Sequence, residues 1–157
     1  MPRQREIIKP PPAILKLDGK EQVSGIGSYC WNGELSSNGV LSSLCADYVG
    51  PQTPDEPLPA ISPFTAHLSL PLEEIPQELH INVFRVTDDD EIELGANGTR
   101  SWHIKEENLK QGISSTLTPK RESDINLSLE LGLYVLGVSP SWKEKGSVSY
   151  GFFLEVR

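Results

Sequence analysis

The chain has 157 residues, a formal net charge of −8, 37% hydrophobic and 23% charged residues. That length suits one domain with its own core, and the composition is not that of a disordered chain. The acidic balance argues against nucleic acid as a partner, since affinity there comes largely from Lys and Arg meeting phosphates, and no apolar run has the length of a transmembrane segment.

Gly and Pro number 13 each, which breaks helices and predicts many short strands joined by turns. Residues 1–12 read as an extended leader, because Pro10, Pro11 and Pro12 impose a polyproline II path. The domain is expected over 13–157. The start holds basic residues but no apolar stretch of a signal peptide. Two readings of compartment follow: a cytoplasmic chain, or a secreted, periplasmic or cell-surface region whose native signal was removed.

Ala13–Leu17 predicts a first strand, closed by the turn dipeptide Asp18-Gly19. Val23–Trp31 predicts a second, and Val40–Val49 its return after Asn32-Gly33 and Asn38-Gly39. Gly50–Pro63 holds five prolines and is expected to be a surface connection, since each Pro removes a ladder donor. In Thr65–Leu72, Ala66, Leu68 and Leu70 share one face. In Glu78–Thr87 the apolar set moves from Leu79, Ile81 and Val83 to Phe84 and Val86, as a bulge or two-sided burial would require. Glu91–Leu94 and Ser101–Lys105 are further short candidates. Glu106–Gln111 is the one stretch with helical composition. Ile125, Leu127, Leu129 and Leu131 are expected to point inward together.

The clearest alternation closes the chain. Val148, Tyr150, Phe152, Leu154 and Val156 fall on one face, with Ser147, Ser149, Gly151, Phe153 and Glu155 on the other. Leu129–Val156 therefore reads as two adjacent strands. The whole is all-β, an antiparallel sandwich of about eight to ten strands with little helix.

Glu130-Leu131-Gly132-Leu133-Tyr134-Val135-Leu136 resembles the immunoglobulin-like motif of an acid, a Gly and a Tyr at alternate positions before a core residue. The resemblance implies a Greek-key sandwich. It makes Tyr134 the corner residue whose hydroxyl bonds back to the preceding loop, with Gly132 allowing close chain approach. Leu136 stands where antibody domains carry their second core cysteine, and Glu130 replaces the usual Asp. Gly27–Trp31 and Cys45–Asp47 are also similar to segments of small extracytoplasmic bacterial proteins.

Several residues bear on chemistry. Cys30 and Cys45, the only cysteines, bracket two turns and are expected to form a disulfide worth about 3 kcal/mol in the chain-entropy picture. The alternative is two buried, reduced thiols. No metal site and no cofactor are expected: two thiolates need further ligands, and no CxxC or HxxxH spacing occurs. His67 and His80 lie on the polar phase of strands that a simple hairpin would bring together, but face solvent in the plainer reading. Asp88-Asp89-Asp90-Glu91 reads as a solvated hairpin tip rather than a calcium loop. Trp31, Trp102 and Trp142 are the candidate ligand-binding residues, with Trp142 in the loop between the last two strands; the alternative is that each covers the end of the core.

No nucleophile elbow, phosphate loop, dinucleotide fingerprint or zinc-protease helix occurs. The expected function is a non-catalytic extracytoplasmic binding module for a protein or glycan partner. The alternatives are a carbohydrate-binding module using exposed Trp and an immunoglobulin-like protease inhibitor presenting Gly50–Pro63. A hydrolase would need a pocket gathering a His, an acid and a nucleophile.

Overall fold

The computed structural model describes residues 9–35, 41–48, 52–86, 92–94, 100–102 and 109–157, with the backbone alone at 33–35, 41–43, 92–94, 100–102 and 109–111. Among them are thirteen strands and no helix. Numbered in chain order, a four-stranded sheet runs β11 (Glu122–Leu127), β6 (Phe64–Ser69), β1 (Ile14–Leu17), β2 (Lys20–Val23). The larger sheet runs β10 (Leu109–Thr116), β7 (Glu78–Val86), β12 (Gly132–Trp142), β13 (Gly146–Val156), β3 (Gly25–Leu35), β4 (Leu41–Ala46). β5 (Leu58–Ala60) lies parallel beside the end of β13. β8 (Ile92–Leu94) and β9 (Arg100–Trp102) pair as a separate ribbon. Every other pairing is antiparallel, and the two main sheets form a β-sandwich.

Period-two patterning explains the packing. Leu15, Leu17, Ala66, Leu68, Ile125 and Leu127 of the small sheet meet Leu79, Ile81, Val83, Leu136, Val138 and the Val148–Val156 row of the large one in a single core. Full burial of such a Leu, Val or Phe contributes about 1.5–3 kcal/mol. Val135 and Phe153 are equally buried but stand outside that core, on the opposite face. The large sheet is therefore covered on both sides near β12 and β13.

Several expectations need correction. The stretch read as Val23–Trp31 divides at Ser24, whose hydroxyl accepts the Ala13 N–H while its own N–H donates to the Ala13 carbonyl. Gly50–Pro63 is not wholly a connection: β5 lies in it, with Leu58 and Ala60 buried. Pro59 is tolerated because β5 pairs along one edge only. The supposed helical stretch enters β10 from Leu109, and the irregularity near β7 falls on its partner between Gln111 and Ile113. Leu131 is 68% exposed, because β11 ends at Leu127 and the chain leaves the sheet where Leu129 N–H meets the Ser62 hydroxyl. Of the leader, Pro10 is buried and the Pro11 carbonyl accepts from the Tyr150 hydroxyl at 2.8 Å. The Asp88–Glu91 run lies outside the described residues.

Beyond the shared core, one junction bonds the two sheets directly. β13 pairs with β3 as far as Gly151 and with β5 from Leu154. Phe153 falls in the gap. The Gln22 side chain of β2 fills it: its Oε1 accepts the Phe153 N–H at 2.8 Å and its Nε2 donates to the Phe153 carbonyl at 2.8 Å and to the Glu56 carbonyl at 2.9 Å. A carboxamide mimics a peptide group, so Gln22 serves as one residue of strand. Burial makes the contact decisive, since Gln22 is 7% exposed. Gln22→Ala removes the bonds from Gln22 to both buried Phe153 main-chain groups and should destabilise by about 2–4 kcal/mol. Denaturant unfolding checks it; a loss under about 0.5 kcal/mol, the range of an ordinary surface change, would refute the role.

Candidate functional site

The outer face of the large sheet carries a row without side chains. Gly137 of β12 pairs with Gly151 of β13, Gly151 pairs with Gly25 of β3, and on the other side Gly137 pairs with Asn82 of β7. Glycine inside strands marks close approach of another chain or a ligand. At one end of the trough the chain itself approaches. A Cβ on Gly25 or on Gly151 would lie 2.2 Å from the Gln52 carbonyl oxygen, so residues 52–53 rest directly on bare backbone. At the other end the trough is open. A Cβ at Gly137 would meet only ordinary contacts, 3.5 Å from the Phe84 ring and 3.6 Å from the Asn82 carbonyl.

The open end is a groove of about 330 Å³. Its floor is Gly137, Gly151 and Gly27. Phe84 and Tyr48 supply rings, and Asn82, Gln52, Ser28, Ser139 and Ser149 supply amides and hydroxyls. No charged side chain is among the described residues that line it. Tyr48 is held by its backbone: its N–H donates to the Ser28 hydroxyl at 3.0 Å, and that hydroxyl donates to the Tyr48 carbonyl at 3.4 Å. Its side chain stays 48% exposed. A second depression, of about 610 Å³, lies between β2 and the Pro-rich segment Pro54–Pro59, where Gln22 is already engaged.

The tryptophans lie elsewhere. Trp31 and Trp142 are 6% and 2% exposed and pack edge to face at 5.7 Å. Trp142 ends β12 rather than sitting in a loop, and its indole N–H donates to the Glu74 carbonyl at 2.9 Å. Neither presents a ring face to a ligand, which corrects the expectation for this pair. Trp102 lies in β9 opposite Ile92; its side chain is outside the described residues.

Cys30 and Cys45 are direct partners across β3 and β4 and are joined as a disulfide. Both are exposed, so the bond staples an edge hairpin on its outer surface rather than within the core. The Tyr134 hydroxyl donates to the Glu130 carbonyl at 2.8 Å, and Gly132 takes φ +148°, open to glycine but rarely to other residues. Arg85 stands over the Tyr134 ring and bonds the Glu130 carboxylate at 2.9 Å and the Leu131 carbonyl at 3.2 Å. The Tyr134 hydroxyl and ring are thus both engaged within the chain.

His67 and His80 are in different sheets and do not meet, and both side chains are partly exposed, as the plainer reading has it. His80 turns toward Thr116 of β10 (3.0 Å) and Glu78 (3.6 Å). His67 bonds Asp124 at 2.8 Å and Glu122 at 3.3 Å, both on β11, with Lys16 its register partner on β1. Those two acceptors raise its pKa above the ordinary 6.5, Asp124 contributing most. The same contact, aided by the Ser69 hydroxyl, lowers that of Glu122 from 4.5. Among the described residues no group of three His, Cys, Asp or Glu is placed to hold a metal ion.

No protein-family model matches the chain, and no curated protein matches it. Among solved structures, T. fusca AA10A is similar with a TM-score of 0.40 and 11% identity, over 71% of this chain and 55% of that one. The match thus spans little more than half of that protein, and a likeness this distant carries no argument about activity.

Two outcomes follow from the geometry. Gly151→Ala forces the Gln52 backbone to move and should cost about 1–3 kcal/mol, whereas Gly137→Ala should change stability by under about 0.5 kcal/mol; equal effects in chemical denaturation would refute the packing. For His67, a raised folded pKa means its stabilisation is complete below pH 6.5 and lost as pH rises through the elevated value. Glu122, lowered, contributes above pH 4.5 and loses that as pH falls through its depressed value. Both groups are well exposed, so the effect is small. His67→Gln should flatten the decline of thermal midpoint above pH 6.5; an unchanged slope would remove His67 as its source.

Proposed function

We propose that this protein is a non-catalytic extracytoplasmic binding module with an immunoglobulin-like relationship, its ligand seated in the groove over Gly137. The observation that carries the reading is the groove lining: rings, amides and hydroxyls around a bare backbone floor, with no acid–base pair among the described residues there. Of the lining hydroxyls, Ser139 is the one whose register partner is a histidine, His80. That ring bonds Thr116 and lies beside Glu78, so it is not set to take a proton from Ser139. A hydrolase is correspondingly disfavoured.

The Cys30–Cys45 bond supports the compartment, because structural disulfides persist where thiols are not kept reduced. The bond from Tyr134 to the Glu130 carbonyl, with Gly132 beside it, supports the immunoglobulin-like relationship. The inhibitor reading is weakened at two points of its loop: the chain at Gln52 is seated on the glycine trough and Leu58 is buried in β5, although Asp55, Glu56 and Ile61 are exposed.

Amide chemical-shift mapping on the full chain, with a mixed library of neutral glycans, acidic glycans and peptides, tests the site. A ligand that shifts Gly137, Ser139 and Ser149 and is lost in Gly137→Leu is expected. Ligands that all map elsewhere, or turnover of a bound ester or glycoside, would overturn the reading. Titration of freshly isolated, denatured, non-reduced protein should find no free thiol; two free thiols would remove the extracytoplasmic assignment.

A further inference from the structure

We infer that the groove takes a neutral glycan, its sugar faces against Tyr48 and Phe84 and its hydroxyls against Ser139, Ser149 and Gln52. The inference rests on the groove being the ligand seat and adds what the seat selects.

Charge narrows the class first. Among the described residues the lining offers no counter-ion to a phosphate, sulfate, uronate or ammonium group. The chain as a whole, at −8, repels polyanions. A charged ligand would be partly desolvated there with nothing to pair with.

The floor then separates peptide from sugar. An extended peptide is usually recognised by adding to a sheet edge, where unpaired N–H and C=O groups complete its ladder. This groove lies across the face of β7, β12, β13 and β3, and each of these has a strand on both sides. Their main-chain groups point along the sheet to one another except at one irregularity, where Gly27 and Ser28 stand against Ser149. A peptide laid there would find no continuous ladder and would depend mostly on side chains to satisfy its own main chain. A sugar has the opposite needs. Each of its hydroxyls both donates and accepts, and Ser hydroxyls and the Gln carboxamide do the same. Its C–H faces need apolar ring surface, which Tyr48 and Phe84 provide.

The floor and Tyr48 are pre-organised for this. With no side chain on Gly137 a flat ring can approach the sheet closely. The two hydrogen bonds between the Ser28 hydroxyl and the Tyr48 backbone fix the root of an exposed ring, so less backbone freedom is lost when a ligand covers it. A volume of about 330 Å³ is at the small end of ligand clefts and suits a short saccharide segment.

The test is calorimetric titration of the full chain with neutral oligosaccharides of glucose, N-acetylglucosamine, mannose and xylose, beside oligogalacturonate, a heparin fragment and an uncharged extended peptide. Binding to at least one neutral oligosaccharide is expected. It should weaken at least about tenfold in Tyr48→Ala and in Phe84→Ala, and much less in Tyr48→Phe. Gly137→Leu should lose it. Should Gly137→Leu fail to fold, Tyr48→Ala carries the test alone, because that side chain is largely exposed. No binding to any neutral oligosaccharide overturns the inference, as does glycan binding that survives both Tyr48→Ala and Phe84→Ala. A peptide or acidic glycan that binds and is lost in Gly137→Leu also overturns it, while leaving the groove as the ligand seat.

Discussion

A buried strand must have its backbone satisfied along its whole length, and that requirement governs how this sandwich is assembled. β13 is the central strand of the large sheet and changes partner midway, from β3 to β5. A change of partner opens a gap in the ladder at Phe153, deep in the molecule. The gap is closed from the other sheet, by the carboxamide of Gln22. A residue on an edge strand of the small sheet thereby completes the middle of the large one. The two layers are joined by directional bonds as well as by their shared core, and the Glu56 carbonyl ties the preceding segment into the same junction.

That segment connects the junction to the groove. Gln52 and Thr53 lie across the outer face of the large sheet before the chain reaches its place beside β13 at Leu58. It passes low because Gly25 and Gly151 carry no Cβ. The glycine trough is longer than this segment needs, and the remainder over Gly137 is what forms the open groove. The same absence of side chains thus lets the chain cross its own sheet and leaves a floor on which something else can rest. The exposed disulfide between β3 and β4 fixes the hairpin from which the crossing begins, three residues before Tyr48.

Much of the fold was legible because core-facing positions recur with period two. Val148 to Val156 and Ile125 to Leu127 show it plainly, and an even pair of cysteines around turn dipeptides pointed to its own bond. β5 was hidden because Pro59 reads as a strand breaker, a rule that holds only where both edges are paired. Leu131 was misread because alternation persists in the letters after the strand has ended. The groove was hidden for a deeper reason. Its lining comes from β3, β7, β12, β13 and from Tyr48 and Gln52, and nothing local relates Tyr48 to Phe84. One signal was present: Gly25, Gly27, Gly137 and Gly151 interrupt strand segments at positions where side chains would be expected, and interior strand glycine marks close approach.

The aromatic residues show why exposure must be settled before chemistry is assigned. Tryptophan attracts a binding role by its size, but size is also what makes it worth burying. Trp31 and Trp142 pack against each other, and the Trp142 indole N–H finds a carbonyl partner in Glu74, so both are committed to the end of the core. Tyr48 and Phe84 are smaller and sit on the outer side of the large sheet. Phe84 belongs to β7, whose neighbours Val83 and Ile81 alternate into the core, so strand geometry turns it outward. Tyr48 gains rigidity from Ser28 rather than from burial, which leaves its ring available. A ring fixed at its backbone and open at its face suits recognition, whereas a ring sealed on both faces serves packing. By that criterion the surface over Gly137, not the tryptophan pair, is the proposed ligand seat.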